Sequence, residues 1–120
     1  MRPESGDAAL LWDMLDAARA VSQFTSGRSY ADYMADRMFR GAVERHVEII
    51  GETAGRVSKA LRDKHPEIPW HKIIVQRHVL VHEYGDIKHD LIWKVATVDI
   101  PQLIGDLEPM IPPPPESDTA

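Results

Sequence analysis

Apolar residues recur at helical spacing through most of the chain, and no run alternates regularly enough to predict a strand. The first helical segment covers about residues 7 to 25, with Asp7 or Ser5 as its cap. A second covers about residues 36 to 60. Each has one apolar face, which we expect to face the core. The predicted core positions are Leu11, Met14, Leu15, Ala18 and Val21 in the first segment, and Phe39, Val43, Val47, Ile50, Ala54 and Val57 in the second.

A short helical turn is predicted between these two segments. Ser29 is followed three residues later by Asp32, a spacing close to that of a capping box. In such a box the two side chains accept hydrogen bonds from each other's backbone N–H groups. We therefore expect a brief helix from this point through Met34, directly before the long second segment.

Two prolines define the helices of the C-terminal half. Pro69 suits the first position of a helix over about residues 70 to 84, which Gly85 would end. Another helix is expected from about residue 88, and Pro101 must break or kink it. A final turn would then contain Leu103, Ile104 and Leu107. The predicted fold is an all-α, up-and-down bundle of about five helices.

The composition indicates one domain with a tail. The chain has 120 residues, near the commonest domain size, and we assign residues 1–108 to the helical domain. Residues 109–120 are proline-rich and then small and polar, which predicts a polyproline II segment that merges into a disordered tail. There is no cysteine, which excludes disulfides, cysteine zinc sites and a cysteine nucleophile.

The net charge is −5, which argues against a protein that coats nucleic acid through a broad basic face. It leaves room for an enzyme that contacts RNA at one small basic site. The first residues lack the apolar run of a secretion signal, and no apolar stretch approaches the roughly 18 residues that span a bilayer. We therefore expect a soluble, cytoplasmic protein with no membrane contact.

One segment carries most of the candidate chemistry. Arg77, His78, His82 and Tyr84 lie within eight residues of one another. Arginine binds phosphate, and histidine transfers protons near neutral pH, so the set suits RNA cleavage without a metal or cofactor. In a straight helix Arg77 and His82 point roughly 140° apart. A concentrated site would therefore be easier to build by pairing two copies of the chain across a two-fold axis.

Two other interpretations of this segment stay open. Basic side chains near a helix C-terminus are also explained by favourable interaction with the helix dipole and by solvation. Alternatively, His78 and His82 are four residues apart and could both bind a metal. The candidates for completing such a metal site are Glu48, Glu83 and His89.

The motif Arg77-x4-His82-x-Tyr84 resembles the signature of the HepT-like branch of the HEPN superfamily. The similarity covers about residues 7 to 108 and includes residues 29–34, 42–52, 66–70, 90–95 and 99–101. It implies a homodimeric, all-helical toxin of a type VII-like toxin–antitoxin system that cleaves RNA, with tRNA among the candidate targets. It further implies that Arg77 and His82 are the catalytic pair.

The resemblance also implies a mode of regulation. A partner minimal nucleotidyltransferase, acting as antitoxin, would attach AMP to Tyr84 and silence the toxin. His78 stands where family members commonly carry Asn or Asp, so we assign it an auxiliary role. The alternatives from other classes are a non-catalytic helical binding partner and a substrate-binding subunit of the nucleotidyltransferase.

Overall fold

The computed structural model describes residues 6–81 and 88–111, without the side chains of residues 76–81. This part of the chain is helical and contains no strand, which confirms the all-α prediction. Among the described residues, no helix is both long and apolar enough to cross a lipid bilayer. The helices are α1 Gly6–Thr25, α2 Tyr30–Ala35, α3 Arg37–Ala54, α4 Lys59–Lys64, α5 Trp70–Val81, α6 His89–Lys94 and α7 Ile100–Leu107, with a π-helical turn at Val95–Asp99 and a 3₁₀ turn at Glu108–Met110.

The core lies between α1 and α3, which pack along each other. Helix α5 packs against α3, and α7 packs against α1. All of the core positions predicted for the first two segments are buried, because the apolar stripes of both helices face each other. Helices α6 and α7 add Ile92, Leu103 and Leu107 to the same core.

The predicted helix over residues 36 to 60 is wrong at its C-terminal end. Helix α3 ends at Ala54, and a separate short helix, α4, begins at Lys59. Gly55 forms the C-cap of α3, in agreement with the low helix propensity of glycine. Ser58 then caps α4, since its side chain accepts a hydrogen bond from the backbone N–H of Leu61 at 3.2 Å.

The capping box before α2 is confirmed. The Ser29 hydroxyl accepts a hydrogen bond from the Asp32 N–H at 3.1 Å, and the Asp32 carboxylate accepts one from the Ser29 N–H at 2.9 Å. These bonds hold the pKa of Asp32 below its usual range. Asp36 then caps α3 by accepting from the N–H groups of Met38 and Phe39. The turn between α2 and α3 is therefore fixed by local polar contacts.

Asp7 does not cap α1. It lies inside the first turn, and its carboxylate accepts hydrogen bonds from the Ser58 N–H at 2.9 Å and the Ser58 hydroxyl at 2.6 Å. The other predicted cap, Ser5, lies outside the described residues. The start of α1 is thus joined to the start of α4.

Pro101 does not end the last helical segment. The chain instead forms the π-helical turn Val95–Asp99, in which the Ile100 N–H donates to the Val95 carbonyl, five residues back. A wider turn accommodates a proline that has no N–H to donate. The Thr97 hydroxyl also donates to the Trp93 carbonyl at 2.8 Å. The predicted distortion is therefore absorbed within a helix that continues to Leu107.

Candidate functional site

Helix α5 contains the first half of the motif. Arg77 and His78 lie on this helix, but their side chains are outside the described part of the structure. His82 and Tyr84 lie outside the described residues altogether. The assignment of Arg77 and His82 as catalytic groups, of His78 as auxiliary group and of Tyr84 as modified residue therefore stays a prediction.

The start of α5 is firmly held. The helix begins at Trp70, directly after Pro69, which confirms the predicted start. The Trp70 side chain is buried, and its indole N–H donates to the His65 carbonyl at 2.9 Å. One turn later, Ile73 and Ile74 pack against the core. These contacts fix the direction in which α5 extends towards Arg77.

Gly55 lies beside α5 but is not required there by close packing. A Cβ atom at this position would lie 4.0 Å from Ile74 Cγ2, which is an ordinary van der Waals contact. The role that the structure gives this glycine is the C-cap of α3.

A polar cluster lies where the described chain resumes after residue 87. We call Tyr33, Glu44 and His89 the Tyr33 cluster. The Tyr33 hydroxyl donates to Glu44 Oε2 at 3.1 Å and lies 3.3 Å from His89 Nδ1. His89 Nδ1 is also 3.5 Å from Glu44 Oε2. The cluster joins α2, α3 and the first residue of α6.

Aromatic rings surround the Tyr33 cluster. Tyr30, Phe39 and Trp93 all have ring centroids within 6.0 Å of that of Tyr33. The Arg28 guanidinium lies 4.3 Å from the centre of the Phe39 ring, in a cation–π contact. Burial, followed by the negative charge of Glu44, raises the pKa of Tyr33 far above its usual value, so its hydroxyl keeps its proton at neutral pH.

The sequence pattern does not indicate this cluster. His89 is predicted from it only as a metal ligand, and neither Glu44 nor Tyr33 is a predicted site residue. Their separations of 11 and 56 residues carry no local periodicity that would indicate a contact. Glu48, another proposed ligand, instead pairs with Arg45 at 3.2 Å. No group of three or more possible metal ligands occurs among the described residues, and the side chains of His78, His82 and Glu83 lie outside them.

A cavity of about 300 Å³ lies between α3, the start of α5, the π-helical turn and α7. Its apolar lining includes Val47, Ile73 and Leu103. Its polar lining comprises Lys72, Gln102 and three carboxylates, Glu67, Asp99 and Asp106. Lys72 pairs with Asp99 at 3.8 Å, which leaves an excess of negative charge. This cavity is poorly suited to the phosphates of RNA, because like charges repel.

Helix α4 carries three basic residues, Lys59, Arg62 and Lys64, and one of them is neutralised. Lys59 forms an ion pair with Asp63 at 2.8 Å. Arg62 and Lys64 lie in the last turn of α4, where positive charge is favoured by the helix dipole. The helix dipole and solvation explain the exposed Lys64, whereas the half-buried Arg62 has its Nε atom buried without a hydrogen-bond partner among the described residues.

Comparisons with known proteins agree with one another. Residues 14–110 match the family model described as ribonuclease HepT-like. A protein of Methanocaldococcus jannaschii, provisionally named an RNase, is 35% identical over 83% of this chain and 92% of its own length. The probable ribonuclease HepT of Thermococcus cleftensis is 34% identical over 82% of this chain and 89% of its own length. No solved structure matches the chain.

Proposed function

Because this chain belongs to the HepT-like ribonuclease family, we propose that it is a metal-independent endoribonuclease and the toxin of a toxin–antitoxin pair. The observation that carries the proposal is the family match over residues 14–110, since this range includes the whole segment from Arg77 to Tyr84. The helical backbone of α5 supports it, because Arg77 and His78 lie on a helix that is held against α3.

The proposed reaction is attack of a ribose 2′-hydroxyl on the adjacent phosphate. A neutral His82 accepts the hydroxyl proton, and a protonated histidine donates a proton to the leaving 5′ oxygen. Arg77 stabilises the negative charge that develops on the phosphate oxygens. The products are a 2′,3′-cyclic phosphate and a 5′-hydroxyl, so no water, metal or oxidant is consumed. His78 is the auxiliary polar group beside Arg77.

The proposal includes a homodimer. Two copies of the chain would bring two motifs to one cleft, which supplies one histidine to accept the proton and another to donate it. Arg77 and His82 are five residues apart, and in a straight helix two side chains at that spacing would point roughly 140° apart. One such helix would not direct both side chains to the same point, which supports a cleft formed by two chains.

The proposed antitoxin is a minimal nucleotidyltransferase. It would transfer AMP from ATP to the Tyr84 hydroxyl and release pyrophosphate. The added phosphate is negatively charged and close in sequence to Arg77, so it would compete with RNA phosphate and block access. Mass spectrometry of the protein incubated with this partner and ATP should show an added AMP on Tyr84. An unmodified tyrosine in the presence of active enzyme would contradict this regulation.

The catalytic assignment is tested by RNA cleavage. Wild type, Arg77→Ala and His82→Ala are incubated with total RNA and with tRNA, in the presence and absence of EDTA. We expect wild type to cleave with or without EDTA. Each substitution should lower the rate at least 100-fold, in line with the ~10²–10⁴-fold contribution of an acid–base or charge-stabilising group.

His71→Ala is the matched control, because His71 is an exposed histidine near the start of the same helix. It should cleave at the wild-type rate. Cleavage that survives Arg77→Ala or His82→Ala, or that stops with EDTA, would contradict the mechanism. Harmless expression and no cleavage by wild type would instead favour a non-catalytic binding partner.

A further inference from the structure

The Tyr33 cluster lies at the end of the connection that contains half of the motif. His89 is the first residue of α6 and the second described residue after the connection. His82 and Tyr84 precede it in the chain by only seven and five residues. Whatever fixes the backbone at His89 therefore also fixes one end of the segment that carries these two residues.

The hydrogen bonds of the cluster define where the protons lie. A carboxylate only accepts hydrogen bonds, and a tyrosine hydroxyl has a single proton. Tyr33 uses that proton in its bond to Glu44 Oε2 at 3.1 Å. His89 Nδ1, at 3.3 Å from the Tyr33 oxygen and 3.5 Å from Glu44 Oε2, therefore faces two acceptors. Nδ1 must carry a proton, and in the neutral ring Nε2 has none.

Helix α6 depends on these contacts. It has only six residues, and its N-cap residue, Lys88, makes no side-chain capping bond. A helix this short is not stable by itself in water and takes its position from tertiary contacts. Ile92 and Trp93 hold the middle of α6 against the core, whereas His89 holds its first turn.

We propose that His89 is a positioning residue for RNA cleavage: its Nδ1 donates to the Tyr33 hydroxyl beside the Glu44 carboxylate and thereby fixes the start of α6, where the segment that carries His82 and Tyr84 rejoins the described fold. This inference rests on the proposed ribonuclease function. In this role His89 contacts neither RNA nor a metal. The bond that matters is made by Nδ1 and not by Nε2.

Three substitutions at His89 separate the two ring nitrogens. The amide nitrogen of His89→Asn can occupy the place of Nδ1, whereas that of His89→Gln extends to the place of Nε2. We expect His89→Ala and His89→Gln to lower kcat roughly 10- to 100-fold with KM within about twofold, as for a catalytic group that is misplaced by a remote change. His89→Asn should retain kcat within about threefold of wild type, because it keeps the donor.

Folding is checked by thermal denaturation of each variant, and His71→Asn is the control for a histidine on a different helix. If His89→Asn is as defective as His89→Ala, or if His89→Ala cleaves as fast as wild type, the positioning role is wrong. Wild-type protein that does not cleave RNA would instead overturn the proposed function.

A second measurement does not need RNA cleavage. Nitrogen-15 NMR of the histidine rings in the full chain reports which ring nitrogen carries the proton. We expect His89 protonated at Nδ1 in wild type, and partly or wholly shifted to Nε2 in Tyr33→Phe and Glu44→Gln. A wild-type ring protonated only at Nε2 would overturn the inference whatever the result with RNA.

Discussion

At the scale of single residues, Ser58 has two structural roles. Its hydroxyl accepts from the Leu61 N–H and so caps α4, and it donates its own proton to Asp7 Oδ2. The Ser58 N–H donates to Asp7 Oδ1. Two donors on one carboxylate favour its charged form, and the hydrogen bonds from Ser58 therefore hold the pKa of Asp7 below its usual value.

The Asp7 contact predicts a pH-dependent contribution to stability. Asp7→Asn should lower the free energy of unfolding at pH 7 by about 0.5–1 kcal/mol, towards the lower end for a hydrogen bond because the site is solvated. A depressed folded-state pKa stabilises the protein above the ordinary value of 3.8, and that stabilisation is lost as the pH falls through the folded value. Urea unfolding at pH 7 and pH 3 measures the difference.

Asp16→Asn is the control for this measurement, since Asp16 is an exposed carboxylate on the same helix. It should leave stability unchanged at both pH values. A stability difference for Asp7→Asn that is equally large at pH 3 and pH 7 would show that the charge of Asp7 is not what stabilises the contact.

Polar contacts could be predicted from the sequence only where they are local. Ser29 and Asp32 are three residues apart, so the spacing alone specified their reciprocal bonds. Asp7 and Ser58 are 51 residues apart, and Tyr33 and His89 are 56 apart. Neither pair has a spacing that a helix period would bring together. Their meeting follows from how the helices pack, which the sequence pattern does not specify.

At the scale of helices, periodicity was informative about faces and less so about ends. The stripes of α1 and α3 predicted the core because a 3.6-residue period places those positions on one side of each helix. Val57 continues the period of α3 and is buried, yet it lies beyond the end of that helix, at Ala54. Because Val57 falls at the next apolar position of the helical period, the periodicity predicts a helix that continues past residue 54. It does not indicate the break at Gly55.

Substitution of two methionines, one buried and one exposed, tests where the core lies. Met14 on α1 is 0% exposed, whereas Met38 near the start of α3 is 84% exposed. We expect Met14→Ala to lower the free energy of unfolding by about 2–5 kcal/mol, because it removes buried volume. Met38→Ala should change it by roughly 0.5 kcal/mol or less. Chemical denaturation of both variants checks this, and equal effects would contradict the placement of the core.

At the scale of the whole molecule, negative charge dominates, with a net charge of −5, and three of the carboxylates line the cavity. An acidic protein binds RNA weakly, which is compatible with turnover at one local basic site and not with tight coating of the substrate. The proposed pairing of two chains would double the number of basic motif residues in that site. Activity should therefore depend on the dimer.

Mixing of subunits tests the dimer. Light scattering after gel filtration should give twice the chain mass of 13.6 kDa. Wild type is then exchanged with an excess of the Arg77→Ala/His82→Ala double variant, which pairs most wild-type chains with an inactive partner. If both chains complete one cleft, the activity per wild-type chain should fall several-fold. Unchanged activity per wild-type chain would indicate independent sites.

The π-helical turn at Val95–Asp99 gives this chain a place where its length can change. Because this turn holds one residue more than an α-helical turn, losing one residue there would leave the flanking helices facing the core as before. Deletion of Val98, which is 56% exposed, together with Pro101→Ala should therefore preserve the fold. Deletion of Gly41, inside α3, would rotate everything after it by roughly 100° and turn Val43 and Val47 away from α1. Deletions of one residue among related sequences should accordingly collect at this turn.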